Sequence, residues 1–309
     1  MLSVVIPAYN EEKLVAKAAR RVSEVLAEAG IDYELVFVDD GSKDGTWQTI
    51  KAISEANDNT IGIHFSRNFG KEAAMFAGLE KAGGDAVAVM DCDLQHPPEK
   101  LPEMYALWQE GYEVVEGLKR SRGSEGQGHK AAAGLFYKLM SKATGFDMSG
   151  ASDFKLLDRK VVDSLNSLPE KNVFFRALSY WAGFKTATVY YAVKEREDGE
   201  SKWSTRKLIR YAITNVVSFT SAPLSLITVL GVVTLIVSVV MTIVALVQKI
   251  IGVALGGFTT VIILLLFVGS IIMICLGIIG VYIAKIYDEV KGRPKYIISE
   301  MSGHNASGK

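Results

Sequence analysis

Charge is absent where a soluble protein rarely does without it. No Asp, Glu, Lys or Arg occurs over the 38 residues from Tyr211 to Gln248, nor over the 35 from Ile250 to Ala284. Lys249 alone interrupts the gap between Arg210 and Lys285. The other charges of this 309-residue chain, 34 basic and 34 acidic in all, crowd into the remainder, and the mean hydropathy is still +0.22. This pattern describes a charged globular part of roughly 210 residues, then a membrane part and a short polar tail. Cysteine is scarce. Cys92 and Cys275 allow neither a disulfide framework nor a thiolate metal cluster. Net charge is zero and no basic face with interleaved aromatics stands out, so no nucleic-acid partner is expected. The opening MLSVVIPAYNEE places acidic residues where a signal peptide needs apolar ones, so no secretory signal is expected. Two apolar spans are too few for transporter folds built from repeated bundles.

What is present in the first 120 residues is alternation. Ser3–Ile6, Leu35–Val38, Ile61–Phe65, Ala86–Met90 and Glu113–Val115 read as strands. Apolar runs without alternation suit strands covered on both faces. Between the first two, Leu14, Ala18, Val22 and Val25 recur at helical spacing, predicting a helix over Glu11–Ala29 with Asn10 at its cap. Thr46–Ala56, Glu72–Lys81 and Pro98–Glu110 are further helices. The order predicts a doubly wound α/β domain whose ligands sit beyond the carboxyl ends of the strands. Farther on, Ser121–Lys130 reads as a loop, Ala131–Thr144 and Val173–Ala182 as helices, Asp153–Leu157 as a strand and Thr186–Val193 as an edge strand.

Ser204–Thr220 is amphipathic, with Arg206, Lys207 and Arg210 at its start, and predicts a helix lying in the lipid interface. Leu224–Val247 and Phe258–Ala284 each exceed the ~20 residues that cross ~30 Å of hydrocarbon. Basic residues on both outer flanks place both termini in the cytoplasm. The resulting division is a globular α/β domain over 1–203, an interface helix over 204–220, two spans over 221–285 and a cytoplasmic tail over 286–309. The oligomeric state stays open, a homo-oligomer included.

The strand ends carry the chemistry. Asp91-Cys92-Asp93 follows the fourth strand, and two carboxylates at i and i+2 can converge on Mg2+ or Mn2+, with Gln95 adding an oxygen. A solvated turn is the ordinary alternative. Cys92 reads as packing and His96 as a loop residue. Asp39-Asp40-Gly41-Ser42 can hydrogen-bond a base or ribose, or simply cap the next helix through Asp44 or Thr46.

The ordered set VVIPAYNEE, FVDDGSKDGT, SRNFGKEAA, MDCDLQHPPE and DFKLLDRKV resembles the inverting glycosyltransferases of family 2. With two spans and the ending IYDEVKGRPKY it resembles the polyprenyl-phosphate glycosyltransferases. The resemblance implies a GT-A fold, a nucleotide-sugar donor (UDP favoured over GDP), a polyprenyl phosphate acceptor and a divalent ion. It implies that Asp91, Asp93 and Gln95 hold metal and diphosphate, and that Pro7, Tyr9, Glu11 and Asp39 line the nucleoside pocket, with Asp40 beside it. Asp153 falls at the reacting centre, as a base or as an electrostatic residue. Arg196, Ser201 and Lys202 fall in the segment that meets phosphates, and Lys119 and Arg122 near the acceptor phosphate. The chain departs from the expected pattern at Lys119 and Lys155, where Arg is expected. Lys keeps the charge but loses the bidentate fork. A processive polysaccharide synthase fits less well, because Arg176-Ala177-Leu178-Ser179-Tyr180-Trp181 lacks the Q-x-x-R-W order. A membrane-tethered nucleotide-sugar binder without turnover is the third reading.

Overall fold

The apolar runs do become strands buried on both faces. The computed structural model describes residues 1–120, 152–170, 175–192, 222–252 and 257–303. The expected loop over 121–130, the helix over 131–144, the interface helix over 204–220, and Arg122, Arg196, Ser201 and Lys202 lie outside the described residues. The chain divides into two units, Met1–Trp203 with Pro294–Lys309, and Ser204–Arg293.

In the first unit the order is β1 (Leu2–Ala8), α1 (Glu12–Glu28), β2 (Tyr33–Asp39), α2 (Thr46–Ala56), β3 (Thr60–Phe65), α3 (Lys71–Lys81), β4 (Ala86–Val89), a 3-10 turn (Pro98–Lys100) and α4 (Leu101–Gln109). Then come β5 (Val114–Lys119), β6 (Lys155–Asp158), α5 (Arg159–Asn166), α6 (Phe175–Trp181), β7 (Thr186–Tyr191) and, from the C-terminal segment, β8 (Ile298–Ser302). They form one sheet in the order β7-β5-β6-β4-β1-β2-β3-β8. β1 pairs in parallel with β2 and β4, and β2 with β3, so the loops after these strands share one edge. β6 runs antiparallel between β4 and β5. This reversal brings the residues before β6 to the carboxyl edge of β4.

Alternate residues face opposite sides. Val4 and Ile6 of β1 and Phe37 of β2 pack in one cluster with Val15 and Val22 of α1, Trp47 and Ile50 of α2, and Leu101 and Met104 of α4. On the other side Val5 meets α3 at Gly78, where an added Cβ would lie 2.2 Å from Val5 Cγ1. A mid-helix glycine ordinarily costs about 1 kcal/mol against alanine, so its presence marks a close approach of helix to sheet.

Asn10 does not cap α1. It adopts a left-handed φ of 55°, and its Oδ1 accepts the Lys43 N–H at 2.9 Å, joining the loops after β1 and β2. The region over 286–309, read from sequence as a tail, contains β8. β8 pairs antiparallel with β3 and completes the sheet. The ring of Tyr296 stacks on Phe65 at 5.0 Å, and its hydroxyl donates to Glu80 at 2.5 Å. The alternation of Ile298-Ser299-Glu300-Met301-Ser302 is too short and too polar to announce a strand without its partner.

In the second unit α7 (Ala222–Ile251) and α8 (Phe258–Val290) contact one another. Both are long and apolar enough to cross a membrane, over Pro223–Ile251 and Leu264–Val290. α8 outlasts the apolar run predicted to end at Ala284, because Lys285–Val290 continues the helix with polar residues.

Gly78→Ala gains helix propensity yet is expected to destabilise the catalytic unit by about 1–3 kcal/mol through overpacking against Val5. Chemical denaturation of the purified chain in detergent reads this directly, and an unchanged or raised midpoint would contradict the close packing.

Candidate active site

Register explains how Asp91 and Asp153 meet. Val89 of β4 lies opposite Lys155 of the antiparallel β6. Two residues farther along β4 and two earlier on β6 stand the two aspartates, from sequence positions 62 apart. Between them sits Lys71, the first residue of α3, whose Nζ lies 2.6 Å from Asp91 Oδ1 and 2.8 Å from Asp153 Oδ2. Arg176 of α6 closes a fork on Asp153, Nε to Oδ1 at 2.7 Å and Nη2 to Oδ2 at 2.8 Å. Burial works against the charge of Asp153, but the Arg176 fork and Lys71 outweigh it and hold its pKa well below the usual carboxylate range. Burial also opposes ionisation of Asp91, and there Lys71 prevails in the same way.

The supports behind this cluster are buried. His96 lies in a loop, as expected, but it is buried there. Its Nδ1 accepts the Asp91 N–H at 3.0 Å, and its ring stacks on Phe154 at 5.1 Å. Burial lowers its pKa, keeping the imidazole neutral so that it can accept that bond. Lys155 and Glu116, register partners on β6 and β5, form an ion pair at 2.9 Å with side chains 1% and 2% exposed. Glu116 also accepts the Ser152 N–H at 3.1 Å and the hydroxyl of Tyr180. The turn that carries Asp153 is therefore held by a buried charge pair. Cys92 is buried, as the packing reading expects.

Asp91 Oδ1 is buried and, beyond the Lys71 ion pair, has no hydrogen-bond partner. Asp93 Oδ1 accepts the Gln95 N–H at 3.1 Å in a turn where Leu94 takes a left-handed φ of 56°. Among the described residues no three acidic, His or Cys side chains converge on one point. The donor set is thus two carboxylates two residues apart, Asp91 already paired with Lys71, with an amide nearby. It suits a hard cation that takes its remaining ligands from water and substrate phosphates.

The residues expected to line a nucleoside pocket stand in and around the loops after β1 and β2. Tyr9 is 43% exposed at the edge, Pro7 is buried in β1 and Glu11 is half-buried. Asp39 is fully buried, with Oδ2 2.6 Å from His64 Nδ1 and Oδ1 accepting the Ser42 N–H at 3.1 Å. Asp40 is buried too. Its oxygens accept the N–H groups of Phe69 and Gly70 at 2.6–3.1 Å, so it locks the loop leading to α3. Gly41 permits this contact: its φ is 66°, and an added Cβ would lie 2.4 Å from the Arg67 carbonyl carbon. Lys119 is exposed at the end of β5, on the same edge. The sequence reading assigned no role to Lys71, Arg176, His96 or His64. Lys71 lay within the SRNFGKEAA motif, just before the helix predicted over Glu72–Lys81, and that was its only signal.

A mixed sheet with acidic loops at the carboxyl ends of its parallel strands has the architecture of a GT-A glycosyltransferase. Residues 3–165 match Glycosyl transferase family 2. The chain is 36% identical over 302 residues to a prophage bactoprenol glucosyl transferase homolog of Escherichia coli (strain K12), covering 97% of this chain and 99% of that one. It is 36% identical over 301 residues to the bactoprenol glucosyl transferase of Shigella phage SfII, covering 97% of each. The fold matches glucosyl-3-phosphoglycerate synthase from Mycobacterium tuberculosis, solved with Mn2+, UDP and phosphoglyceric acid, with a TM-score of 0.51 at 22% identity over 70% of this chain and 76% of that one. The chain belongs to glycosyl transferase family 2, in the branch that contains the polyprenyl-phosphate enzymes.

Two stability changes are expected. Lys155→Met leaves Glu116 charged and uncompensated and should cost about 3–5 kcal/mol, whereas adding Glu116→Leu should recover much of it; equal midpoints for the single and double variants would refute this. Glu72 is half-buried, and burial, with Asp153 adding, pushes its pKa up from 4.5 to about 7. The folded state therefore binds a proton that the unfolded state gives up, and the resulting stability is whole below pH about 4.5 and lost as pH rises through 7. Glu72→Gln should flatten the stability profile across that window, as thermal unfolding at a series of pH values would record.

Proposed function

We propose that this enzyme transfers a sugar, with inversion, from a UDP-linked donor to the phosphate of a polyprenyl lipid at the cytoplasmic face of the membrane, using Mg2+ or Mn2+. The observation that carries the reading is the near full-length likeness to bactoprenol glucosyl transferases, which includes both apolar helices and the C-terminal segment. The GT-A neighbour solved with UDP and Mn2+ is in keeping with it.

Asp91 and Asp93, with Gln95, are the residues that would hold the cation. When bound, it supplies Lewis-acid neutralisation of the departing nucleoside diphosphate. Tyr9 offers an aromatic face to the base, while Pro7 and Glu11 shape the pocket and Asp39 and Asp40 fix its loops from beneath. Asp153, ionised and clamped by Arg176 and Lys71, is a poor proton acceptor. It is better suited to stabilising positive charge on a sugar with oxocarbenium character. The acceptor does not require a base, because a phosphate with a second pKa of about 6 is already largely a dianion at neutral pH. The dianionic acceptor phosphate and the donor diphosphate repel, and Lys119, Arg122, Arg196, Ser201 and Lys202 are assigned to screening and holding the acceptor. Residues 1–203 and 294–309 fall in one unit, flanking the apolar pair on both sides. This favours two crossings with catalytic domain and both termini on one side, and the flanking basic residues favour the cytoplasm.

The test is to incubate the purified chain with undecaprenyl phosphate and radiolabelled UDP-sugars and to extract the lipid. Lipid-linked label that disappears with EDTA and returns with Mg2+ or Mn2+ is expected, and Asp91→Asn and Asp93→Asn should each lower kcat/KM by about 100-fold or more. Metal-independent transfer by those variants, or no lipid-linked product from any donor, would overturn the reading.

A further inference from the structure

A polar row crosses three strands on the α2 face of the sheet. Asp39 of β2 lies opposite His64 of β3, and His64 opposite Glu300 of β8. The contacts follow the register. The Glu300 carboxylate accepts the Trp47 Nε1–H at 3.0 Å and pairs with Lys51 at 2.5 Å. The Trp47 indole stacks on the His64 imidazole, with centroids 5.0 Å apart and planes 20° from parallel. His64 Nδ1 meets Asp39 Oδ2 at 2.6 Å. The other Asp39 oxygen takes the Ser42 N–H, and the Ser42 hydroxyl accepts the Asn10 N–H at 2.8 Å. Asn10 is the residue between Tyr9 and Glu11. The ladder registry breaks immediately after His64, between His64 and Phe65. Bulges of this kind re-aim side chains beside functional sites.

We infer that Glu300, in the strand the chain adds after its apolar helices, is a positioning residue for the nucleoside pocket, acting through Trp47, His64 and Asp39 on the paired loops that carry Tyr9 and Glu11. The inference rests on the proposed role of those loops in binding the donor nucleotide. Each link has a physical reason. The Trp47 N–H on the partly buried indole needs an acceptor, and a carboxylate is a stronger one than water. Stacking fixes the plane of the imidazole. The ring nitrogen and the Ser42 N–H hold the buried Asp39 carboxylate from both sides, and an uncompensated buried carboxylate would cost far more than a neutral group. Losing Glu300 frees the indole, loosens the imidazole and lets the 39–45 loop move. The catalytic cluster at Asp91, Lys71 and Asp153 shares none of these bonds.

The experiment titrates full-length protein in detergent with UDP and GDP by calorimetry, and follows KM for undecaprenyl phosphate with the working donor. Readings use whichever nucleotide the unmodified chain binds more tightly. Glu300→Ala and His64→Ala should each weaken nucleotide binding about 10-fold while the lipid KM stays within about twofold. Glu300→Gln keeps an acceptor for the indole and should bind nearly as the unmodified chain does. The double variant Glu300→Ala/His64→Ala should weaken binding no further than the worse single one. If Glu300→Ala does not fold, Trp47→Phe keeps the stack, loses the N–H bond and should show the same split. Tyr9→Ala and Asp39→Asn serve as the reference. If they weaken nucleotide binding while Glu300→Ala and Trp47→Phe do not, or if nucleotide and lipid constants fall together, the inference is overturned. If Tyr9→Ala and Asp39→Asn leave binding unchanged, the nucleoside assignment itself fails, and the inference fails with it.

Discussion

Two carboxylates forced together at the edge of a sheet repel, and the site exists only because something positive stands between them. Asp91 and Asp153 reach the same place from strands running in opposite directions. Lys71 touches both, and Arg176 grips Asp153 from the far side. Partial burial makes this arrangement steep. In a low-dielectric pocket an unpaired carboxylate would take up a proton rather than stay charged, and the electrostatic use of Asp153 would be lost. The cations therefore preserve the charge that the proposed function assigns to Asp153. They also make Asp153 a weak base, which under the proposed function favours an electrostatic role over that of a base.

Holding that cluster requires rigid elements behind it, and the sheet supplies them in layers. α3 presses on β1 closely enough to demand Gly78, and so fixes the height of Lys71 at the helix start. The Lys155–Glu116 pair locks the turn that delivers Asp153. A buried ion pair is a doubtful source of stability but a sharp source of geometry, since either partner alone is costly. Lys at 155 is intelligible in this light. Its compact ammonium pairs with Glu116 at 2.9 Å and lies 4.5 Å from the Tyr180 ring centre in an enclosed site.

Much of the architecture was legible because burial leaves a mark on local sequence. β1 to β4 appear as mostly apolar runs without alternation, and α1 and α2 as periodic ones. The acidic strand ends drew attention to Asp91, Asp93 and Asp39 for the same reason: charge after an apolar run is conspicuous. What stayed hidden depends on partners distant in sequence. Lys71 at a helix start and Arg176 in an aromatic helix look like solvated charges until Asp153 is beside them. Asp40 looks like a ligand contact until Phe69 and Gly70 are seen to take its oxygens. β8 has no local mark at all, because its pattern gains meaning only against His64 and Gly62.

That last strand constrains the rest of the chain. A segment that pairs with β3 cannot be left across a bilayer from it. An odd number of crossings between Trp203 and Pro294 would put β8 and β3 on opposite sides and break the sheet edge, the Tyr296 stack on Phe65 and the Glu300 bond to Trp47 together. The pair of apolar helices is in this sense an insertion into a catalytic domain rather than an appendage to its end. The same strand covers one edge of the sheet, an edge that would otherwise expose unpaired backbone groups. Membrane attachment and completion of the fold therefore come from one stretch of sequence, and a truncation that removes the helices together with the C-terminal segment removes part of the catalytic domain as well.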